Sequence, residues 1–182
     1  MKKTRMLCLS MVLVLLLLFS SNSLSEKFLY DGWINWETTS EDIIEKLGEP
    51  SSTKQTELPE DRTIHMLIYE NVKYCDFDGF KQAFSTYDND NKLVLFGFGT
   101  NTTPDRSKII AEEIYNSLVS SYGKPVQKYF LDESWENGNS IWSLDDTYIF
   151  MEWSSSTEIE ILSSGSVTVE YMRKEGTGLN FG

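Results

Sequence analysis

Leu47-Gly48-Glu49-Pro50 and Tyr122-Gly123-Lys124-Pro125 carry the same punctuation, a glycine followed two residues later by a proline. Each copy ends a run with helical character. A glycine just past the last turn takes a positive φ that other residues reach only with strain, and the proline cannot continue a helix. Upstream of the first copy, residues 38–47 read as a helix. Thr38 with Glu41 fits a capping box there, and Ile43, Ile44 and Leu47 form the apolar stripe. Upstream of the second copy, Thr103 can cap and Pro104 suits the first helical position. Residues 105–122 then present Ile109, Ile110, Ile114, Leu118 and Val119 at helical spacing.

The two glycines lie 75 positions apart, and the segments after them correspond in order. Residues 64–69 match 141–144, 72–77 match 148–153, 82–87 match 158–163, and 93–98 match 167–172. The reading is an α+β fold of two tandem units, each an α-helix followed by an antiparallel β-sheet, with the helices packed on one sheet face. The units span residues 26–102 and 103–174, and the glycine-rich residues 175–182 form a loose tail.

Outward from these units, the first 25 residues are an address. Lys2, Lys3 and Arg5 precede the apolar residues 6–19, and the small polar residues 20–25 follow, as in a secretory signal peptide cut near Glu26. The alternative is an uncleaved membrane anchor, although a bilayer span needs about twenty apolar residues. A secreted or extracytoplasmic location follows in either case. Cleavage removes three cations and takes the formal net charge from −12 to −15. Such acidity disfavours nucleic acid and anionic membrane surfaces as partners. Of the two cysteines, Cys8 falls in the leader, which leaves Cys75 alone and no intrachain disulfide.

Residues 26–36, with Phe28, Tyr30, Trp33 and Trp36, are either a lead-in strand across the sheet or an arm for a partner. Residues 51–61 are a connection or an edge strand, and 63–77 are one long strand or two shorter ones. Residues 80–87 alternate, with Phe80 and Phe84 on one side and Lys81 and Ser85 on the other. Asp88-Asn89-Asp90-Asn91 is turn chemistry. Residues 126–131 read as a strand and 132–139 as a loop carrying Trp135. At the end, Ile159 and Ile161 face one way with Val167, Val169 and Tyr171. Glu158, Glu160, Thr168 and Glu170 face the other, so this sheet wants helices on its apolar side only.

A capped helix, a Gly-x-Pro stop and a small antiparallel sheet, repeated at this spacing over residues 39–50 and 103–125 and the strands after each, resemble the β-lactamase inhibitor protein architecture. Single units of this kind are similar to the small lipoproteins of the bacterial outer-membrane assembly machinery. The resemblance implies a bacterial envelope or secreted protein with the tandem fold. The chain lacks the cysteines for the disulfides of those inhibitors and the lipid-attachment cysteine of those lipoproteins, and fold alone does not imply inhibition.

The chemistry is sparse. His65 and Cys75 are the sole candidates for a Cys-His pair, and on an unbroken strand they would stand about 33 Å apart at about 3.3 Å per residue. Asp88 to Lys92 begins like a calcium loop but has neither the sixth-place glycine nor the twelfth-place glutamate. Asp145 with Asp146, and Glu158 with Glu160, are carboxylate pairs that a solvated acidic surface explains. Asn101-Thr102-Thr103 fits a glycosylation sequon. No catalytic residue, metal or small-molecule cofactor is assigned.

Aromatic content is high, with 5 Trp, 9 Tyr and 10 Phe, and Trp142, Tyr148, Phe150 and Trp153 crowd into twelve residues. Strand parity places Tyr148 and Phe150 on one face and Ile149, Met151 and Trp153 on the other, and one helix cannot cover both. These four aromatics are therefore the candidate binding residues of a non-catalytic module for an unidentified protein or cell-envelope partner. The alternative is an extracellular hydrolase acting on carbohydrate or cell-wall material, which would need a cleft holding two acids with raised pKa.

Overall fold

The computed structural model describes residues 32–58, 62–130, 135–156 and 164–175. Residues 1–25, read above as a leader, Phe28, Tyr30, residues 158–161 and the residues beyond Glu175 lie outside them. The chain divides into a short unit, Met1–Asn35, and a large one, Trp36–Gly182. The elements that follow all belong to the large unit.

In chain order they are α1 (Ser40–Leu47), β1 (Ser52–Leu58), β2 (Arg62–Tyr74), β3 (Phe77–Tyr87), β4 (Leu93–Thr102), α2 (Pro104–Tyr122), β5 (Gln127–Phe130), β6 (Asn137–Ser143), β7 (Thr147–Ser156) and β8 (Ser164–Arg173). Each helix is thus followed by four antiparallel strands. These eight strands form one sheet in the order β1-β2-β3-β4-β8-β7-β6-β5. That palindromic order arises when two meanders join through their last strands, here by β4 pairing with β8 over eight residues from Leu95↔Met172 to Thr102↔Gly165.

Both helix stops behave as the glycines require. Gly48 and Gly123 have φ of 83° and 79°, and their N–H groups donate to the carbonyls of Ile44 and Val119. Their ψ values of −172° and −164° are extended, a combination open essentially to glycine alone. Each glycine carbonyl then accepts a hydrogen bond from an aromatic donor on the sheet, Tyr69 Oη to Gly48 and Trp142 Nε1 to Gly123, both at 2.9 Å.

The capping box of α1 sits one residue later than the spacing suggests. Thr39, not Thr38, is the cap: Asp42 N–H donates to its Oγ1 at 3.2 Å, and its own N–H donates to Asp42 Oδ2 at 2.9 Å. Thr38 is buried, and its carbonyl accepts from Leu93, so the start of β4 has already claimed it. In α2 the buried stripe is Ser107, Ile110, Ala111, Ile114 and Leu118, while Ile109 points outward at 56% exposure. Two adjacent isoleucines cannot share one helix face, and the side toward the sheet took Ile110.

The strand correspondence needs correction. Residues 72–77 are not a separate strand. They are the far end of the bulged β2, the turn after it, where Cys75 has φ 52°, and the first residue of β3. The true equivalents are β2 with β6, β3 with β7 and β4 with β8, and β8 pairs with β7 and β4. Residues 51–61 do contain an edge strand, β1, which is almost wholly exposed.

Candidate functional site

The registers sort the side chains into two faces. On the first lie Leu67, Phe84, Phe96, Tyr171, Ile149 and Trp142 in one cross-strand row, followed by the row of Phe98, Val169 and Met151. Both helices cover this face. α2 packs on β7, β8 and β4, and α1 is tied to it through the Ser40–Thr86 hydroxyl pair at 3.0 Å and the wholly buried Ile43. The aromatics stack as a core: Phe96 on Tyr171 at 4.5 Å and 3°, and Tyr74 on Phe98 at 4.1 Å. The Tyr74 and Tyr171 hydroxyls meet at 3.2 Å, and burial, with Tyr74 and Tyr122 beside it, pushes the Tyr171 phenol well above its ordinary range.

Trp142 and Trp153 belong to this covered face. Each is 1% exposed. Trp142 packs against Tyr115, and Trp153 lies over Gly138, where an added Cβ would come within 2.4 Å of its ring, and against Trp135. Enclosed in this way, they cannot touch a partner. Tyr148 is on the opposite face but is itself buried, edge-on to Phe150 with Lys174 4.8 Å above its ring. Of the four aromatics expected at a contact surface, Phe150 alone is partly exposed. The sequence separates the two faces of β7 by parity but does not show which of them the helices cover.

The second face lies on the side away from both helices. Its rows are Met66–Ser85–Leu95–Met172–Tyr148, then Ile68–Ala83–Gly97–Glu170–Phe150, then Lys81–Gly99–Thr168–Glu152–Asn139. Met66, Ile68, Leu95, Phe150 and Met172 are all partly exposed on it. They make one apolar stripe from β2 to β7.

Within the stripe is a depression of about 270 Å³ lined by Phe150, Glu152, Thr168, Glu170 and Met172. Beside it on β4, Gly97 faces Glu170 and Gly99 faces Thr168. A Cβ at Gly97 would meet the Val169 carbonyl oxygen at 2.8 Å and Glu170 Cγ at 3.1 Å, so the Glu170 stem already occupies that space. Burial first, and the Glu152 charge second, hold the Glu170 carboxyl above its ordinary range. Among the described residues neither carboxylate has a basic ion-pair partner. Lys81, in the same row, is tied to Glu70 at 2.8 Å. Lys174 is held by Ser143 Oγ at 2.9 Å and by the Leu144 carbonyl.

Glu170 and Thr168 face away from the apolar side, as alternation in the sequence implies. Their meeting with Glu152 depends on the β7–β8 register, which the sequence does not display.

The remaining candidates do not assemble. His65 Nε2 meets Asp88 Oδ1 at 3.0 Å, while Cys75 stands at the other end of β2, on the order of 30 Å along the strand. Asp88 to Asn91 form the tight turn expected of them, with Asn91 at φ 54° and its N–H donating to the Tyr87 carbonyl. Among the described residues no three His, Cys, Asp or Glu side chains gather to hold a metal ion, and no helix is long and apolar enough to cross a membrane. Comparison with protein-family models, curated proteins and solved structures finds no match for this chain, so the chemistry of the face has to be read from its own residues.

Proposed function

We propose that the protein is a non-catalytic binding module, exported from the cell by its leader, that holds a protein partner against the open face of the sheet. The observation that carries the reading is the apolar stripe of Met66, Ile68, Leu95, Phe150 and Met172, left on the side opposite both helices. Apolar side chains held on a paired, eight-stranded frame lose little conformational entropy on contact, which favours recognition over chemistry. The tandem architecture, with its resemblance to the β-lactamase inhibitor proteins, supports the reading at the level of fold.

The test is capture of a partner from the producing cells' envelope and medium by the parent protein and by a Phe150→Ser, Leu95→Ser variant. The expected result is a partner kept by the parent and lost by the variant, with an unfolding free energy within about 1 kcal/mol of the parent's to show that the fold is intact. Equal capture by both would remove the open face as the contact surface.

One feature favours a second reading, a hydrolase acting on glycosides: two glutamates share the depression with an aromatic ring, and one holds its proton to raised pH. Against it, the depression is shallow, and among the described residues Thr168 is the only other polar side chain lining it. Release of reducing sugar from cell-wall polysaccharide, abolished by Glu170→Gln, would replace the module with the enzyme.

A further inference from the structure

We propose that the depression between Glu152 and Glu170 is a socket for an arginine or lysine side chain carried by an extended, otherwise apolar segment of the partner protein. The inference rests on the open face being the contact surface and specifies what that surface recognises.

The geometry argues for it in three steps. The apolar stripe crosses from β2 to β7 through β3, β4 and β8, four strand spacings or about 19 Å, which is the reach of about six extended residues and more than a single small ligand covers. The occupant is therefore a chain segment. In the middle of that path lies the depression, whose lining presents two carboxylates with no cation against them among the described residues. A purely apolar segment laid across this spot would strip water from both acids and return nothing, the penalty of an unpaired buried charge. An arginine or lysine satisfies both. Its methylene stem lies along Phe150 and Met172 while its head bonds Glu152 and Glu170, which also relieves the repulsion between them. Among the described residues the cations that flank this face, Lys81 and Lys174, are engaged elsewhere, which leaves both carboxylates to a cation from a partner. The net charge of −12 favours approach of such a basic partner.

The experiment is selection of a phage-displayed library of random twelve-residue peptides on the protein purified from its producing cells, with the Phe150→Ser, Leu95→Ser variant as counter-target. The expected result is a set of peptides that needs the parent face and is enriched in arginine or lysine flanked by apolar residues. One such peptide, titrated against a Glu152→Gln, Glu170→Gln variant, should bind about tenfold more weakly or worse. The same peptide with citrulline in place of its arginine should lose as much on the parent and lose nothing further on the variant, the non-additivity that marks a direct contact. A Glu112→Gln, Glu113→Gln variant, altered on the exposed side of α2, should bind as the parent does. Equal weakening there would mean bulk charge alone and would overturn the socket. Peptides that need Phe150 and Leu95 but show no basic enrichment, or that bind the Glu152→Gln, Glu170→Gln variant unchanged, would overturn the socket and leave the contact face standing. No peptide dependent on Phe150 and Leu95 would remove the face, and the socket with it.

Discussion

Single residues set the limits of this fold where the backbone leaves no alternative. At Gly123 no atom lies within 4 Å of the place a methyl group would take, so Gly123→Ala meets no clash, yet φ of 79° with extended ψ strains any L side chain. The substitution should cost about 1–3 kcal/mol in urea unfolding, and Gly48→Ala should cost a similar amount. Gly97 makes the opposite case. Its Cβ position is blocked by the Val169 backbone oxygen at 2.8 Å, so Gly97→Ala must part β4 from β8 or displace Glu170. Glu170 carries a signed pH dependence. Its carboxyl holds a proton to higher pH in the fold than in the unfolded chain, so the native state binds more protons across that window and stability falls as pH rises through it. Glu170→Gln should remove this slope and be more stable than the parent above the window. Urea midpoints taken from about pH 4 to about pH 8 check it, and an unchanged slope would mean that the carboxyl is not perturbed.

The elements are held by different devices. α1 has eight residues, too few to be stable alone, and depends on its cap and on Ile43. Thr39→Ala should destabilise the protein by about 1 kcal/mol, seen first as faster amide exchange in α1. Hydrogen bonds from the Thr39 backbone and then its side chain lower the Asp42 pKa, so the stability that Asp42 contributes is present above the ordinary aspartate range and lost as pH falls through its folded value. α2 is longer and is held by its buried stripe instead. Thr103 makes no side-chain capping bond there, and Pro104 starts the helix by its fixed φ. Much of α2 was legible because its apolar period, proline and glycine agree. α1 was legible in place but not in its capping frame, since Thr38 and Thr39 are chemically equivalent in sequence and only the hydrogen bond from Leu93 to the Thr38 carbonyl separates them.

Across the large unit, the β4–β8 seam joins the two halves into one sheet. Phe96 and Tyr171 stack across it at 4.5 Å, and Phe96 also touches Phe84 and Trp36. Phe96→Ala should therefore cost about 3–5 kcal/mol. It should lower amide protection equally in β2–β3 and in β6–β7. Loss confined to one side, measured by native-state hydrogen exchange, would mean that the halves unfold separately.

The sequence by itself determined the two helices, their glycine stops, the turn at Asp88 to Asn91 and the side to which Val167, Val169 and Tyr171 point. These features follow from local rules: period, capping chemistry and backbone angles that few residues tolerate. Tertiary structure decided which strands are neighbours, and through that everything about the face. The register of the β7–β8 hairpin brings Glu152 beside Glu170. Pairing between β4 and β8 sets Gly97 and Gly99 opposite Glu170 and Thr168, beside the depression. It also decided that Trp142 and Trp153 are core, because parity assigns a residue to a face and only the packing of α2 determines which face is closed.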